Sequence, residues 1–152
     1  MGIDPTTLTT SFWEHADAGD RKQFGRRAET KEETQRKVVK FIEKTIHDQF
    51  SAFLNRHEIP FIHSPMNRKS SIAQGQPDYT ILKPPWFMVE FKTPPNGLTT
   101  VQRERIAFLE KQGNTVLVIT EVLSPDGQPL GQALKEACAE VRKRYNLPEG
   151  LI

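Results

Sequence analysis

Residues 78–92 read DYTILKPPWFMVEFK and are the segment most informative about the fold. Two runs rich in β-branched and aromatic residues, 78–82 and 86–92, flank a Lys-Pro-Pro turn, and this pattern predicts an antiparallel hairpin. Because side chains alternate along a strand, Glu90 and Lys92 emerge on the same face, opposite their hydrophobic neighbours. The hairpin therefore carries two charged groups on one face of an otherwise apolar strand.

Helical and extended segments surround this hairpin. Apolar residues recur at spacings of three and four from 31 to 55, which predicts the longest amphipathic helix. Residues 58–63 predict a short extended segment, because Pro60 disfavours a helical conformation in the residue before it. A second helix is predicted from Thr99 to Gly113. Its inward-facing residues are expected to be Val101, Ile106, Phe108 and Leu109.

The C-terminal part of the chain adds a strand and a helix. Residues 115–122 are almost continuously aliphatic, which predicts a strand covered on both faces, and residues 130–145 predict the last helix. A strand, a crossover helix and a second strand form a right-handed unit, so 115–122 is expected to lie parallel to 86–92. The predicted fold class is α/β, a sandwich with a central mixed β-sheet flanked by helices.

The composition is that of one domain. The 152 residues are 36% hydrophobic and 26% charged, with a formal net charge of +2. A domain of this size buries a core without a disulfide or a metal to hold it together. Residues 31–152 are predicted to form that domain, after a polar N-terminal arm, 1–30. The cations Arg26 and Arg27 of the arm either contact nucleic acid or belong to a solvated terminus.

The sequence argues against several classes of protein. The longest aliphatic run, 116–119, is far shorter than the roughly 18 apolar residues of a membrane-spanning helix, and the first residues lack the features of a secretion signal. The single cysteine, Cys138, favours a reducing compartment, so a cytoplasmic location is expected. The histidines show no zinc spacing and are expected to be surface or partly packed residues. Without a Gly-Lys-Ser/Thr loop, no nucleotide cofactor is expected.

Asp78 lies at the start of the hairpin, where strand pairing brings its carboxylate near that of Glu90. Two adjacent carboxylates repel each other unless a cation lies between them. Together with the Phe91 backbone carbonyl and water, they provide the oxygen ligands that Mg²⁺ or Mn²⁺ prefers. Such a metal would orient a water and stabilise charge on a phosphate, and Lys92 would hold the nucleophile or the developing charge. Taken singly, each residue also fits a strand-entry turn or a surface ion pair.

At these residues the sequence resembles a known family. Asp78 with Glu90-x-Lys92 resembles the core motif of the PD-(D/E)XK nucleases, and a longer string within residues 32–122 is similar to the VRR-NUC branch. The string comprises Gly75-x-Pro77-Asp78, Glu90-Phe91-Lys92-Thr93-Pro94 and Gly97-Leu98-Thr99-x-x-Gln102.

The resemblance implies a restriction-endonuclease-like fold and a metal-dependent nuclease. In that class Asp78 and Glu90 would bind the metal, Lys92 would be the catalytic lysine, and Gln102 would support the site. Stand-alone members of the branch tend to be homodimers that act on branched DNA, such as four-way (Holliday) junctions.

Two of the implied roles have rivals. Thr99-x-x-Gln102 also forms a capping box, and one amide is not expected to reach both the cap and the metal site easily. The family also places a glutamate on its first helix. The candidates there are Glu29, Glu32, Glu33 and Glu43. We expect Glu32, which lies close to the apolar face of the helix; the alternative is a solvated first-turn glutamate favoured by the helix dipole.

Basic residues near this site are candidates for phosphate contacts. Arg68 and Lys69 precede the Gly-x-Pro-Asp turn. Arg103 and Arg105 lie on the following helix, where a solvated basic surface is the alternative. The sequence thus predicts a Mg²⁺- or Mn²⁺-dependent DNA endonuclease with Asp78, Glu90 and Lys92 at its centre. The resemblance implies that it selects branched DNA, and a homodimer would suit cleavage of both strands. The alternatives are a catalytically inactive nuclease-like module that binds DNA or protein, and an ordinary interaction domain. The compactness of the chain suggests a phage or mobile element as its source.

Overall fold

The computed structural model describes residues 29–64 and 74–150. Contacts divide the chain into two compact units, 1–40 and 41–152, and the division into an arm, 1–30, and a domain, 31–152, stays a prediction. The elements in chain order are α1 (Lys31–Arg56), β1 (Phe61–His63), β2 (Tyr79–Ile81), β3 (Phe87–Lys92), α2 (Thr100–Lys111), β4 (Val116–Thr120) and α3 (Gln132–Tyr145).

In the N-terminal unit, a reciprocal cap fixes where α1 begins. The Thr30 backbone N–H donates to the Glu33 carboxylate at 2.9 Å, and the Glu33 backbone N–H donates to Thr30 Oγ1 at 3.2 Å. This capping box satisfies two of the amide groups that a helix start leaves without partners. Glu32 lies between them in the first turn and is exposed.

The second unit contains a four-stranded mixed sheet with the strand order β1-β2-β3-β4. The β1–β2 and β2–β3 pairs are antiparallel, whereas β4 is parallel to β3. The predicted hairpin and the predicted crossover through α2 are therefore both confirmed. Helices flank this sheet, as the predicted α/β class requires.

One face of the sheet and two helices form the main core. The β3 residues Phe87, Val89 and Phe91 are buried in this core, together with Tyr79 of β2, so the predicted alternation along the strand is confirmed. The other residues of this core are Ile42, Ile46, Phe50, Phe53, Leu54, Ile59, Ile81, Ile119, Ala133, Leu134, Ala137, Cys138 and Val141. Glu90 and Lys92 thus emerge on the sheet face opposite this core.

The packing of α2 and β4 differs from the sequence prediction. Ile106 is the one buried residue in α2, whereas Val101 and Phe108 are 47% and 54% exposed, so the prediction that these two face inward was wrong. Val118 is 40% exposed, so the expectation that the 115–122 strand is covered on both faces was also wrong. The physical reason is that β4 is an edge strand and that α2 buries only one side chain against this region.

Within the described ranges, no helix combines the length and the apolar character that crossing a bilayer requires.

Candidate metal centre and active site

Asp78 and Glu90 are linked by two reciprocal hydrogen bonds. The Asp78 backbone N–H donates to Glu90 Oε2 at 3.2 Å, and the Phe91 backbone N–H donates to Asp78 Oδ2 at 2.7 Å. Each carboxylate is therefore held by the backbone next to the other carboxylate. The two acids that the sequence analysis paired across the hairpin converge in the structure.

The register of the hairpin and the loop before it produce this convergence. Tyr79 pairs with Val89 in the antiparallel ladder, so the preceding residue, Asp78, lies beside Glu90. Gly75 adopts a left-handed φ of +73°, and a Cβ atom there would lie only 2.7 Å from the Val101 carbonyl oxygen. A larger residue would push this loop away from α2, so the glycine allows the turn before Asp78 to pack against the helix.

Two further side chains hold Glu90 from the other side. The Lys92 ammonium lies 2.7 Å from Glu90 Oε1, and Gln102 Nε2 donates to the same oxygen at 2.6 Å. A carboxylate offers about four lone-pair positions, and these contacts with the Asp78 N–H use three of them. Glu90 therefore retains acceptor capacity on Oε2, the oxygen that faces the Asp78 backbone.

Gln102 makes both of the contacts that the sequence analysis treated as rivals. Its Oε1 accepts a hydrogen bond from the Thr99 backbone N–H at 3.0 Å, while Thr99 Oγ1 accepts from the Gln102 backbone N–H at 3.2 Å. The other end of the same amide donates to Glu90. The expectation that one amide cannot easily serve both was wrong, because the cap needs the amide oxygen and the carboxylate needs the amide nitrogen.

The acid pair carries an electrostatic cost. Burial and the neighbouring Glu90 charge raise the pKa of Asp78 to about 7, against the opposing effects of the Phe91 N–H and Lys92. Burial also raises the pKa of Glu90, although the Lys92 hydrogen bond and charge act in the opposite direction. A divalent cation between the two carboxylates would remove most of this cost.

Glu43 is a helix glutamate whose charge acts on Asp78. It is half-buried on α1, and its charge contributes to the raised pKa of Asp78. Glu32, the residue selected from the sequence, belongs to the other compact unit, and its role stays a prediction. The sequence signal for Glu43 was its spacing of four residues from His47, which places both side chains on the same helix face.

Two histidines adjoin Asp78. His47 Nδ1 lies 2.9 Å from His63 Nε2, and His47 Nε2 lies 3.6 Å from Asp78 Oδ2. Burial and the neighbouring His63 lower the pKa of His47 to about 4, so the ring is neutral near pH 7. Sequence reasoning expected ordinary surface or partly packed histidines and missed this pair, because the two residues are far apart in the chain and meet only through the fold.

Of the predicted phosphate-contacting residues, Arg103 and Arg105 lie within the described ranges. Arg105 is half-buried on α2. The Arg103 guanidinium donates to the Leu98 carbonyl at 3.0 Å and to Thr100 Oγ1 at 3.4 Å, so it supports the start of α2 while its side chain stays exposed. The other four, Arg26, Arg27, Arg68 and Lys69, lie outside the described residues.

The donor set fits a hard divalent cation bound by few protein ligands. In the part of the chain that the structure describes, no group of three or more His, Cys, Asp or Glu side chains is arranged to hold a metal. The convergent oxygens belong to Asp78 and Glu90, and Mg²⁺ is commonly bound by one or two carboxylates with water and substrate phosphates completing its shell. The ligand role of the Phe91 carbonyl stays a prediction.

Comparison of the sequence with protein-family models gave no match, and comparison with curated proteins gave none either.

Proposed function

We propose that this protein is a Mg²⁺- or Mn²⁺-dependent phosphodiesterase that cleaves DNA internally. The observation that carries the proposal is the pair Asp78 and Glu90, whose carboxylates are each hydrogen-bonded to the backbone beside the other. Lys92 forms an ion pair with Glu90 Oε1. Glu90 is buried and Asp78 is half-buried, and the single amine of Lys92 balances only one of these two acids, so the pair is costly to keep without a further cation. Metal-assisted phosphoryl chemistry uses all three groups.

Each residue has a separate task in this proposal. Asp78 and Glu90 would hold the metal, which when bound supplies positive charge for the phosphate and acidifies a coordinated water. Lys92 has three N–H donors, one of which is used by Glu90. The remaining donors would position a water nucleophile or a phosphate oxygen as negative charge develops. Gln102 fixes the orientation of Glu90 from α2.

The resemblance to the VRR-NUC branch of the PD-(D/E)XK nucleases supports the same conclusion. It implies that Asp78, Glu90, Lys92 and Gln102 belong to one site, and Asp78, Lys92 and Gln102 each contact Glu90. We extend the proposal to a restriction-endonuclease-like fold, to branched DNA as the preferred substrate, and to a homodimer that presents one site to each strand. The single cysteine fits a reducing compartment such as the cytoplasm.

The test combines cleavage with metal binding. The purified protein is incubated with linear, flapped and four-way-junction DNA and with single-stranded RNA, with Mn²⁺ or with EDTA, and Mn²⁺ binding is measured by calorimetry. We expect cleavage only with metal, greatest on the junction. Asp78→Asn and Lys92→Ala should abolish it, whereas the exposed control Lys135→Ala should not.

The two measurements separate the alternatives. Lys92→Ala should lose cleavage but keep Mn²⁺ binding, because the lysine is not a ligand. Full cleavage in EDTA, or full activity of Asp78→Asn, contradicts the proposed mechanism. DNA binding without cleavage or Mn²⁺ binding would identify a nuclease-like binding module instead.

A further inference from the structure

The His47 ring is enclosed by aromatic neighbours and is only 4% exposed. Its centroid lies 5.5 Å from that of Tyr79, 5.6 Å from Phe91 and 4.9 Å from His63. The Tyr79 hydroxyl donates to the His47 backbone carbonyl at 2.8 Å. Both the backbone and the ring of this residue are therefore held in place, and the ring nitrogens have fixed directions.

The two ring nitrogens of His47 face different partners. Nδ1 faces His63 Nε2 at 2.9 Å, and a hydrogen bond of this length holds one proton, carried by one ring or the other. Nε2 faces Asp78 Oδ2 at 3.6 Å. A neutral imidazole carries one N–H. If His63 supplies the proton of the His63–His47 hydrogen bond, His47 Nε2 carries a hydrogen that faces Asp78; if His47 supplies it, Nε2 presents a lone pair instead.

Electrostatics favour one arrangement. If His47 donated to His63, its Nε2 lone pair would point at an oxygen of a carboxylate, which is repulsive. If His63 donates to His47, the Nε2–H dipole points at that oxygen, which is attractive and stronger when Asp78 is ionised. The His63 ring also stacks on Tyr79, with centroids 4.4 Å apart and planes within 5°, which holds its Nε2 toward His47.

We propose that His47 is a positioning residue for Asp78, and that His63 sets its tautomer by donating to Nδ1. Oδ2 then faces two donors, the Phe91 N–H at 2.7 Å and the His47 Nε2–H. Rotation of the carboxylate is thereby opposed, and Oδ1 is left to the metal. This inference rests on the proposed function for its purpose, but the arrangement of His63, His47 and Asp78 and the tautomer of His47 are properties of the metal-free protein. Partners that orient metal ligands are typically worth about 10- to 100-fold in metal affinity.

The tautomer is measured first, on the metal-free protein. Nitrogen-15 NMR of histidine-labelled protein at about pH 8, above the pKa of Asp78, distinguishes a protonated from an unprotonated ring nitrogen. We expect His47 with a protonated Nε2 and an unprotonated Nδ1, and we expect the His63→Phe variant to lose this preference. The opposite His47 tautomer in the wild-type protein overturns the proposal, whether or not the protein is a nuclease.

Matched variants then test the positioning role. Glutamine places its amide nitrogen near the position of histidine Nε2, whereas asparagine reaches only the position of Nδ1. His47→Asn should weaken Mn²⁺ binding about 10- to 100-fold, while His47→Gln should stay within about threefold of the wild type. His57→Gln, at the end of α1, is the control histidine.

Thermal melts and near-ultraviolet circular dichroism establish that each variant is folded. Equal loss of Mn²⁺ affinity in His47→Gln and His47→Asn, with both folded, indicates a packing role only and overturns the proposal. If the wild-type protein binds no Mn²⁺, the proposed function fails. The NMR result still shows which tautomer His47 adopts.

Discussion

Glu90 and Glu121 are two buried glutamates with different surroundings. Both side chains are 1% exposed. Glu90 lies on β3, and Glu121 directly follows β4, the neighbouring strand. The Glu121 backbone N–H donates to the Lys92 carbonyl at 2.8 Å. Glu90 contacts a lysine, a glutamine amide and the backbone of a second acid. Glu121 Oε1 instead accepts from the backbone N–H groups of Val122 at 2.8 Å and Gln132 at 2.9 Å.

The difference shows what distinguishes a candidate site from a buried charge. Glu121 accepts from the first backbone N–H of α3. The N-cap residue of this helix is Gly131, which has a left-handed conformation and no side chain that could form a capping hydrogen bond. Backbone dipoles at a helix N-terminus stabilise a carboxylate. Glu90 lies beside another carboxylate, and that pair gains from a cation. The feature that distinguishes the candidate site is therefore the presence of Asp78 beside Glu90, and not the burial of Glu90.

The largest expected effect comes from exchanging each glutamate for glutamine. Glu90→Gln should lower Mn²⁺-dependent cleavage by at least about a hundredfold and remove calorimetric Mn²⁺ binding, because it removes a metal ligand worth several kcal/mol. Glu121→Gln should leave both unchanged in the folded protein. Loss of Mn²⁺ binding in folded Glu121→Gln would break the distinction between the two glutamates.

The next effect concerns the pH dependence of stability in the absence of metal. The folded-state pKa of Asp78 is raised from 3.8 to about 7, so its protonated form stabilises the folded state fully below about pH 4, and this contribution is lost as the pH rises through about 7. Relative to Asp78→Asn, the wild-type protein should lose a few kcal/mol of unfolding free energy between pH 4 and pH 8.

Urea denaturation across this pH range provides the measurement. Using the difference between the two proteins removes the opposite pH dependence of His47, whose lowered pKa favours the folded state as the pH rises. The exposed-turn variant Asp126→Asn is the control. A wild-type protein that follows the same pH profile as Asp78→Asn would show that the acid pair carries no electrostatic cost.

A smaller effect is expected from removing the α3 cap. Glu121→Ala leaves the Val122 and Gln132 N–H groups without their acceptor, and the free energy of unfolding should fall by about 1–3 kcal/mol. The exposed α3 variant Glu136→Ala should change it much less. Equal midpoints of chemical denaturation for the two variants would argue against a capping role for Glu121.

The smallest effect separates the two functions of Gln102. Thr99→Ala removes half of the capping box and should lower stability by about 1 kcal/mol, with cleavage almost unchanged. Gln102→Met should show a similar loss of stability and, in addition, about tenfold slower cleavage, because Glu90 loses a donor. Equal cleavage rates in the two variants would mean that the amide serves only the helix.

The sequence was sufficient for the hairpin, the parallel crossover and the convergence of Asp78 with Glu90. These features depend on strand alternation and on short connections, which are local properties of the chain. The exposed side of β4 could not be read in the same way. An aliphatic run indicates a strand but does not show whether another strand or helix covers it.

The parts of the site that sequence reasoning missed depend on distant contacts. Glu121 meets the start of α3 only after a turn brings the chain back, and His47 meets His63 across the α1–β1 connection. Neither spacing matches a motif. Gln102 contacts both the helix cap and Glu90, although these contacts were expected to exclude each other, because the sequence does not show that the two ends of the amide point in different directions. Its role in a metal site stays a prediction.

The double engagement of Gln102 has a practical consequence for observing this protein. The Thr99 amide N–H donates to the same side chain that contacts Glu90, so a change at Glu90 that moves the Gln102 amide should alter the exchange of this hydrogen with heavy water. A single backbone amide, followed by NMR without any attached label, would therefore register events at the acid pair.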